Sequence, residues 1–393
     1  MHNVEAYQKS IRLLAAASCE QGFVAAVQPK DNYRRVWARD GVICTLAALL
    51  SSDPELIATG KATLDTLFSH QHATGCIPSN VDPANGKVSY GGIVGRVDNT
   101  SWAVIGLCHY TLTTGDVSLA DQYEQQVQRC FALLDAWEFN GKGLLYVPQS
   151  GDWADEYIQH GYILFEQLLR IWALELAAAV YVEPAWKAKA AHIRQVIEQN
   201  FWPREGNHWY FDGMAGKLLE AFRGYWIMGF NPARVYPYFD LQANALALLL
   251  PAGNAAVRAD VLHALQEVGA DYPKQLLPSF YPAITEQDDD MKELKNNYAY
   301  SFRNKPHEFH NGGLWPVWNG LAAMALFKNG KHARGAELTA AIHAANSLEE
   351  HSFNECYNGQ TGIPCGIARC AWSAAGAIMA EQGLAGNYLI TSL

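Results

Sequence analysis

Apolar residues recur along this chain at intervals of three and four, and the rhythm breaks at regular places. The pattern predicts helices over 3–26, 39–51, 55–73, 98–113, 117–137, 159–181, 184–200, 240–250, 254–269, 312–328, 331–348 and 367–382. Strand signals are few. "GLLYVPQSGDW" (143–153) and "NHWYFDG" (207–213) read as short hairpin arms. No linker rich in Pro, Gly or Ser divides the chain, so residues 1–393 are read as one domain.

Polar and aromatic clusters mark the breaks. They are "NYRRVWARDG" (32–41), "GCIPSNVDP" (75–83), "GGIVGRVDNTSW" (91–102), "QSGDWADEY" (149–157), "YFDLQANAL" (238–246), "HEFHNGGLWPVW" (307–318) and "FNECYNGQTG" (353–362). All but the last open a helix or lie just before one. Helices with such loops before alternate members predict an all-α fold, an (α/α)6 barrel with short β-hairpin insertions in its loops. Six inner helices would gather the loops at one end. Helix N-termini there would present unpaired N–H donors to ligand oxygens. An irregular helical array would not require the loops to match in chemistry.

Composition narrows the partners. Half of the 393 residues are hydrophobic, enough for a large core. Lys and Arg number 29 against 39 Asp and Glu, a net charge of −10. Nucleic acid and anionic membrane both repel such a chain. No apolar stretch approaches the roughly 18 residues of a membrane span. The start, "MHNVEAYQKSIRLLAAASCEQGFVAA", reads as a helix rather than a signal peptide. The eight cysteines are scattered without a CxxC pair, and Cys365 and Cys370 do not match a usual zinc spacing. The expectation is reduced thiols in a cytoplasmic protein, with no metal. The 12 Trp, 19 Tyr and 15 Phe suit the C–H faces of sugars, and equally an ordinary core.

Glycoside hydrolysis needs two carboxyl groups on opposite sides of a sugar: one protonates the leaving oxygen, and the other activates water or attacks the anomeric carbon. "SGDWADEYIQHGYILFEQLL" offers Asp152, Asp155 and Glu156 beside Trp153 and Tyr157. Nearby rings can raise an acid's pKa by desolvation, which suits a general acid. Helix capping accounts for one such acid, less well for all three. "FNECYNGQTGIPCGIARCAWSAAG" offers Glu355, either catalytic or a solvated loop acid, followed by what reads as ordinary helix core. Arg39 and Asp40, after Trp37, form either a clamp on vicinal hydroxyls or a local salt bridge. Asp98 has a similar role or caps its helix. In "HEFHNGGLWPVWNG" (307–320), His310, Asn311 and Trp315 read as one wall of a sugar subsite. Gly312 and Gly313 would allow close backbone approach. "DDDM" (288–291) reads as a solvated charge run.

These motifs resemble, in order over most of the chain, those of the alkaline/neutral invertase family and related (α/α)6-barrel glycoside hydrolases. "RVWARDGVICTLAALL" resembles the family's Arg-Asp helix start. "GCIPSNV" and "IVGRVDNTSW" resemble its Met-Pro stretch and its Gly-Arg-Val…Asp-Ser…Trp segment. "FHNGGLWPVW" is very like its Tyr-His-Asn-Gly-Gly-x-Trp-Pro string, the most specific of the set. "FNECYNGQTG…AWSAAG" is similar to its Pro-Glu-Tyr-Tyr-Asp-Gly…Trp-Ser-x-Ala-Gly.

The resemblance implies an inverting, exo-acting hydrolase of a small α-glucoside, with sucrose the first expectation. Carried over by position, the acid is Asp155, with Asp152 its close rival, and the base is Glu355. Arg39, Asp40, Asp98, His310, Asn311 and Trp315 would form the sugar subsite, joined by Trp37 and Trp153. No cofactor is implied, since two carboxyl groups and water suffice. The partner is a small oligosaccharide or glycoside, and whether the chain forms a homo-oligomer stays open.

One segment departs from the pattern. Around the acid, "DWADEYIQHGYILFEQ" lacks the invertases' Arg pair and is one residue shorter. Gly-Asp-Trp-x-Asp is closer to debranching-type and glycosylglycerate-type hydrolases. Another small glycoside (a glycosylglycerate, trehalose, an α-1,6-glucoside) therefore stands as the alternative substrate. Two further readings stay beside it. One is a sugar 2-epimerase of the helical-barrel type, using His307 and His310 with His160 or His70 opposite. The other is a sugar-binding protein without activity.

Overall fold

Two kinds of helix alternate along the chain. The computed structural model describes residues 3–270, 272–296 and 301–391. Among them, twelve helices of nine residues or more follow one another. The odd members are α1 (Val4–Ala16), α3 (Pro54–Ser69), α5 (Ser118–Ala136), α7 (Pro184–Asn200), α9 (Ala255–Glu267) and α11 (His332–Asn346). The even members are α2 (Ala38–Ser51), α4 (Asp98–Thr114), α6 (Leu164–Val180), α8 (Leu241–Leu249), α10 (Pro316–Lys328) and α12 (Ala371–Leu384). Even helices are buried nearly all round: every residue of α8 is buried, and all of α10 but Lys328. Odd helices such as α5 bury one stripe and expose the rest.

Burial on all sides has a geometric cause. Each even helix packs against the next, α2 on α4, α4 on α6, α6 on α8, α8 on α10 and α10 on α12, and α12 returns to α2. The closed inner ring lies inside the odd helices. This is the expected (α/α)6 barrel, and all twelve helices predicted from periodicity are present. Closure is tightest where α10 meets α12. A Cβ on Gly320 would sit 2.1 Å from the Gly376 carbonyl oxygen, so only glycine allows that approach.

The connections are unequal. Chain entering an outer helix is short: 52–53, 115–117, 181–183, 250–254 and 329–331. Asp53, Glu183 and Asn254 cap α3, α7 and α9 there, and Pro54 and Pro184 fit the first helical turn. Chain entering an inner helix is long: 17–37, 70–97, 137–163, 201–240, 268–315 and 347–370. The four small sheets found among the described residues all lie in these long loops. Pairings such as Trp37 with Asn80, Phe239 with Tyr281 and Leu314 with Tyr357 tie neighbouring loops together over the N-terminal end of the inner ring.

Several local expectations are corrected. The first helix stops at Ala16 rather than 26. A two-stranded turn follows, in which Gly22 (φ +127°) packs so tightly on Thr63 that a side chain would not fit. The sixth helix starts at Leu164 rather than 159, because Gly161 (φ +96°) turns its backbone to pair with Val147. Neither 143–153 nor 207–213 forms a hairpin. The longest hairpin among the described residues is Ile227–Phe230 with Val235–Asp240, within a four-stranded sheet completed by Tyr162–Ile163 and Phe280–Tyr281. The run 288–291 is not solvated throughout: Asp290 pairs with Arg234 and Tyr238, and Met291 is buried.

Candidate active site

The long loops enclose a pocket of about 240 Å³ at the N-terminal end of the inner ring. Its wall takes Tyr33 and Trp37 from the first loop, Arg39 and Asp40 from the first turn of α2, and Arg96 from the second loop. Trp153 and Asp155 come from the third, Arg303, Phe309, His310 and Trp315 from the fifth, Glu355 from the sixth and Trp372 from α12. Residues more than 300 positions apart thus meet because the ring closes. The N-termini of the inner helices point here, and their partial positive charge favours the carboxylates gathered around them.

Glu355 is 7% exposed, not a solvated loop acid. Its backbone N–H donates to the Ile367 carbonyl at 2.8 Å, and the Ile367 N–H donates to Oε2 at 3.2 Å. Gly366 lies so close that a Cβ there would be 2.4 Å from Oε2. The Tyr33 hydroxyl donates to the carboxylate, 3.1 Å from Oε1 and 3.0 Å from Oε2. Burial pushes the Glu355 pKa up to about 7, against the opposing pull of the Ile367 and Tyr33 hydrogen bonds.

Asp155 sits elsewhere on the same wall, with its side chain 35% exposed. Arg96 donates to its Oδ2 at 2.5 Å and is itself aimed by the carbonyls of Val94 (3.0 Å) and Ser150 (2.8 Å). Glu156 turns away and is held by Arg303 at 2.8 Å.

Asp152 does not line the pocket. It is fully buried behind the wall, with Asp98 and Glu166, both also fully buried, among its neighbours. Burial, then Asp98 and Asp240, push the Asp152 pKa well up. Burial, then Asp152, do the same to Glu166. This group is shut off from the pocket.

Arg39 links the two layers. It pairs with Asp40 at 3.2 Å and reaches Asp98 at 3.7 Å, while its guanidinium lies 5.1 Å over the Trp372 ring. The local salt bridge and the pocket position are therefore both real for Arg39 and Asp40.

Aromatic rings make the floor. Trp315 stacks on His310 with centroids 5.4 Å apart at 7°, and Trp153 meets both edge-on. Burial drives the His310 pKa down to about 3, so the ring is neutral. Asn311 is fully buried and outside the pocket, where it braces the loop by accepting from the Ile284 N–H and donating to the Ile284 and Asn304 carbonyls. Gly312 and Gly313 serve loop packing rather than access. A Cβ on Gly313 would meet the Phe309 carbonyl oxygen at 2.2 Å.

Of the residues singled out in the sequence, Trp37, Arg39, Asp40, Trp153, Asp155, His310, Trp315 and Glu355 meet in one pocket. Asp98, Asp152 and Asn311 stand behind it. Tyr33, Arg96, Arg303, Phe309 and Trp372 were not singled out. Tyr33 and Arg96 lie inside motifs already noted. Trp372 lies in the stretch read as ordinary helix core. Arg303 has no local pattern to mark it. Among the described residues, no cluster of His, Cys, Asp or Glu has a geometry suited to a metal ion.

A closed ring of six inner helices under a pocket of carboxylates and tryptophans is the architecture of the (α/α)6 glycosidases, and solved structures of that kind align with nearly the whole chain. The mannosylglycerate hydrolase of Thermus thermophilus, in complex with glucose, aligns with a TM-score of 0.70 at 15% identity, covering 95% of this chain and 99% of that one. A bacterial glucoamylase complexed with acarbose aligns at 0.68 and 16% identity, covering 98% of this chain and 56% of the other. In sequence the chain resembles the invertases. Residues 200–386 match the family model for alkaline and neutral invertase. Mitochondrial alkaline/neutral invertase C of Arabidopsis thaliana is 23% identical over an alignment covering 92% of this chain and 63% of that protein, so the chain spans less than two thirds of that relative. Cytosolic invertase 1 of Oryza sativa subsp. japonica is 24% identical, with 90% and 72% covered. No helix among the described residues is long and apolar enough to cross a membrane.

Proposed function

We propose that this chain is an inverting hydrolase of a small glycoside, with Asp155 as general acid and Glu355 as general base. The observation that carries the reading is that these two carboxyl groups, 200 residues apart in sequence, line one small pocket walled by tryptophans. A pocket of about 240 Å³ is below the roughly 300–1,000 Å³ of drug-sized ligand sites, which favours a terminal sugar over a long chain.

The roles follow from the surroundings. Glu355, with its pKa near 7, is poised to take a proton from water as that water attacks the anomeric carbon. Tyr33 fixes the plane of that carboxylate. Arg96 holds one oxygen of Asp155 and leaves the other to deliver a proton to the leaving group. Arg39 and Asp40 offer a donor and an acceptor to vicinal hydroxyls. Arg39 Nε, His310 Nδ1 and Trp372 Nε1 are buried without a protein hydrogen-bond partner, in residues that line the pocket.

Sucrose is the first substrate to test, because the sequence relatives are named as invertases. The altered segment around Asp155 keeps glycosylglycerates, trehalose and isomaltose beside it. The eight free thiols fit a reducing compartment such as the cytoplasm. A two-histidine epimerase finds less support. Among the described residues, His310 is the one histidine lining the pocket. His160 is bound to Tyr236 and Glu293, and His70 to the Thr66 carbonyl.

The test is product release from sucrose, maltose, trehalose, isomaltose, glucosylglycerate and mannosylglycerate, with free mannose as the epimerase control. Wild type runs beside Asp155→Asn and Glu355→Gln. Cleavage of one glycoside, lost in both variants by a factor of about 10² to 10⁴, supports the assignment. Conversion of mannose with no glycoside cut would overturn it.

A further inference from the structure

Two cysteines flank the hairpin that holds Glu355. Cys356 and Cys365 face each other across the antiparallel pair Cys356–Tyr357 and Pro364–Cys365, and their sulfurs are 3.2 Å apart. Directly paired positions on antiparallel strands have Cα atoms roughly 4.5–5.5 Å apart, within the range a disulfide spans. Cys356 is fully buried and Cys365 half-buried, so an oxidant meets Cys365 first.

We propose that Cys356 and Cys365 are an oxidation site, a thiol pair that a hydroperoxide converts to a disulfide, and that the bond lowers activity by shifting the backbone that holds Glu355. In the first step the Cys365 sulfur attacks the peroxide, giving a sulfenic acid and one water. In the second the Cys356 sulfur attacks that sulfur and expels a second water. Two thiols and one hydrogen peroxide thus yield one disulfide and two waters.

The coupling to Glu355 is built into the hairpin. Closing the sulfurs from 3.2 Å to roughly 2.05 Å draws the two arms together. The first arm is pinned on its other side, where Tyr357 and Leu314 exchange backbone hydrogen bonds at 2.8 and 2.9 Å. The second arm is freer: Pro364 and Cys365 are half-buried, and Ile363 is 63% exposed. The movement therefore falls on Cys365 and on the next residues, Gly366 and Ile367. Gly366 packs beside the Glu355 carboxylate, and the Ile367 N–H donates to it. A displacement of about 1 Å in a positioning group can cost up to about 100-fold in rate.

The bond itself is tested without any substrate, whereas its effect on rate rests on the hydrolase reading. The full chain is treated with hydrogen peroxide, then digested and mapped under non-reducing conditions. Wild type is compared with Cys365→Ser, and with Cys19→Ser as a control thiol on another loop. The proposal expects one bridge, Cys356 to Cys365. It also expects a fall in kcat of about tenfold or more that dithiothreitol reverses, with both effects absent in Cys365→Ser and retained in Cys19→Ser. Free thiols at both positions, a bridge from Cys356 to Cys370, or irreversible sulfinic acid at Cys365 would overturn the site. A mapped 356–365 bridge with unchanged kcat would overturn the coupling to Glu355. If no substrate is found for the untreated protein, the hydrolase reading fails while the mapped bridge still decides the site.

Discussion

The Tyr33 hydroxyl lies within 3.1 Å of both carboxylate oxygens of Glu355, 322 residues away in sequence, and donates to that carboxylate. The bond favours the charged form of a group that burial drives toward neutrality. Removing the hydroxyl alone should raise the Glu355 pKa further. In Tyr33→Phe the acidic limb of kcat/KM against pH, set by the base at about 7 in wild type, moves to higher pH. Activity on the plateau falls by about tenfold, the cost of one charged hydrogen bond of about 1.5 kcal/mol. A pH–rate profile of the two proteins checks both.

Glu355 also makes stability depend on pH. Its pKa is about 7 in the folded chain against an ordinary 4.5, so the folded state binds more protons than the unfolded one between those values. Stability falls as pH rises from about 4.5 through 7 and then levels off. The full effect is on the order of 3 kcal/mol. Glu355→Gln lacks this titration. The difference in melting temperature, wild type minus variant, should therefore decrease between pH 5 and pH 8.

Arg96 connects the glycine-rich second loop to Asp155. Arg96→Met keeps the bulk and removes the fork. The expectation is a loss of about 10- to 100-fold in kcat with little change in KM, because the arginine orients the acid rather than the sugar. Steady-state kinetics on the substrate found in the panel separates the two constants.

Much of this architecture can be read from the chain because the barrel repeats one physical problem. Each inner helix must be apolar all round and each outer helix on one stripe, so periodicity marks twelve helices. Their ends were less legible. The first helix ends at Ala16, ahead of the turn in which Gly22 packs on Thr63, and the sixth starts only after Gly161, which packs on the Phe230–Asn231 backbone; no local pattern announces either contact. The hairpin over 227–240 escaped because its first strand is fully buried and lacks alternation.

In the site, Asp155 and Glu355 stood out as chemical groups in aromatic settings. Tyr33 and Arg303 did not, since their roles exist only once the ring closes. Asp152 and Asp155, close together on one loop, could be told apart only by which side of the pocket wall each occupies.

Ring closure itself can be tested at Gly320. The approach of α10 to α12 leaves no room for a methyl group, whose carbon would lie 2.1 Å from the Gly376 carbonyl oxygen. Backbone on both sides must separate. Gly320→Ala is expected to lose about 3 kcal/mol or more, despite alanine's better helix propensity. Denaturant unfolding followed by tryptophan fluorescence would show it as a lower midpoint.

The most direct test of the central claim is the anomeric configuration of the first sugar released, followed by proton NMR from the moment of mixing. An acid at Asp155 and a base at Glu355 that activates water predict a product of inverted configuration, formed before mutarotation, with no signal in Glu355→Gln. A first product of retained configuration would mean that the second carboxylate attacks the sugar itself, contradicting the assignment of Glu355 as a base.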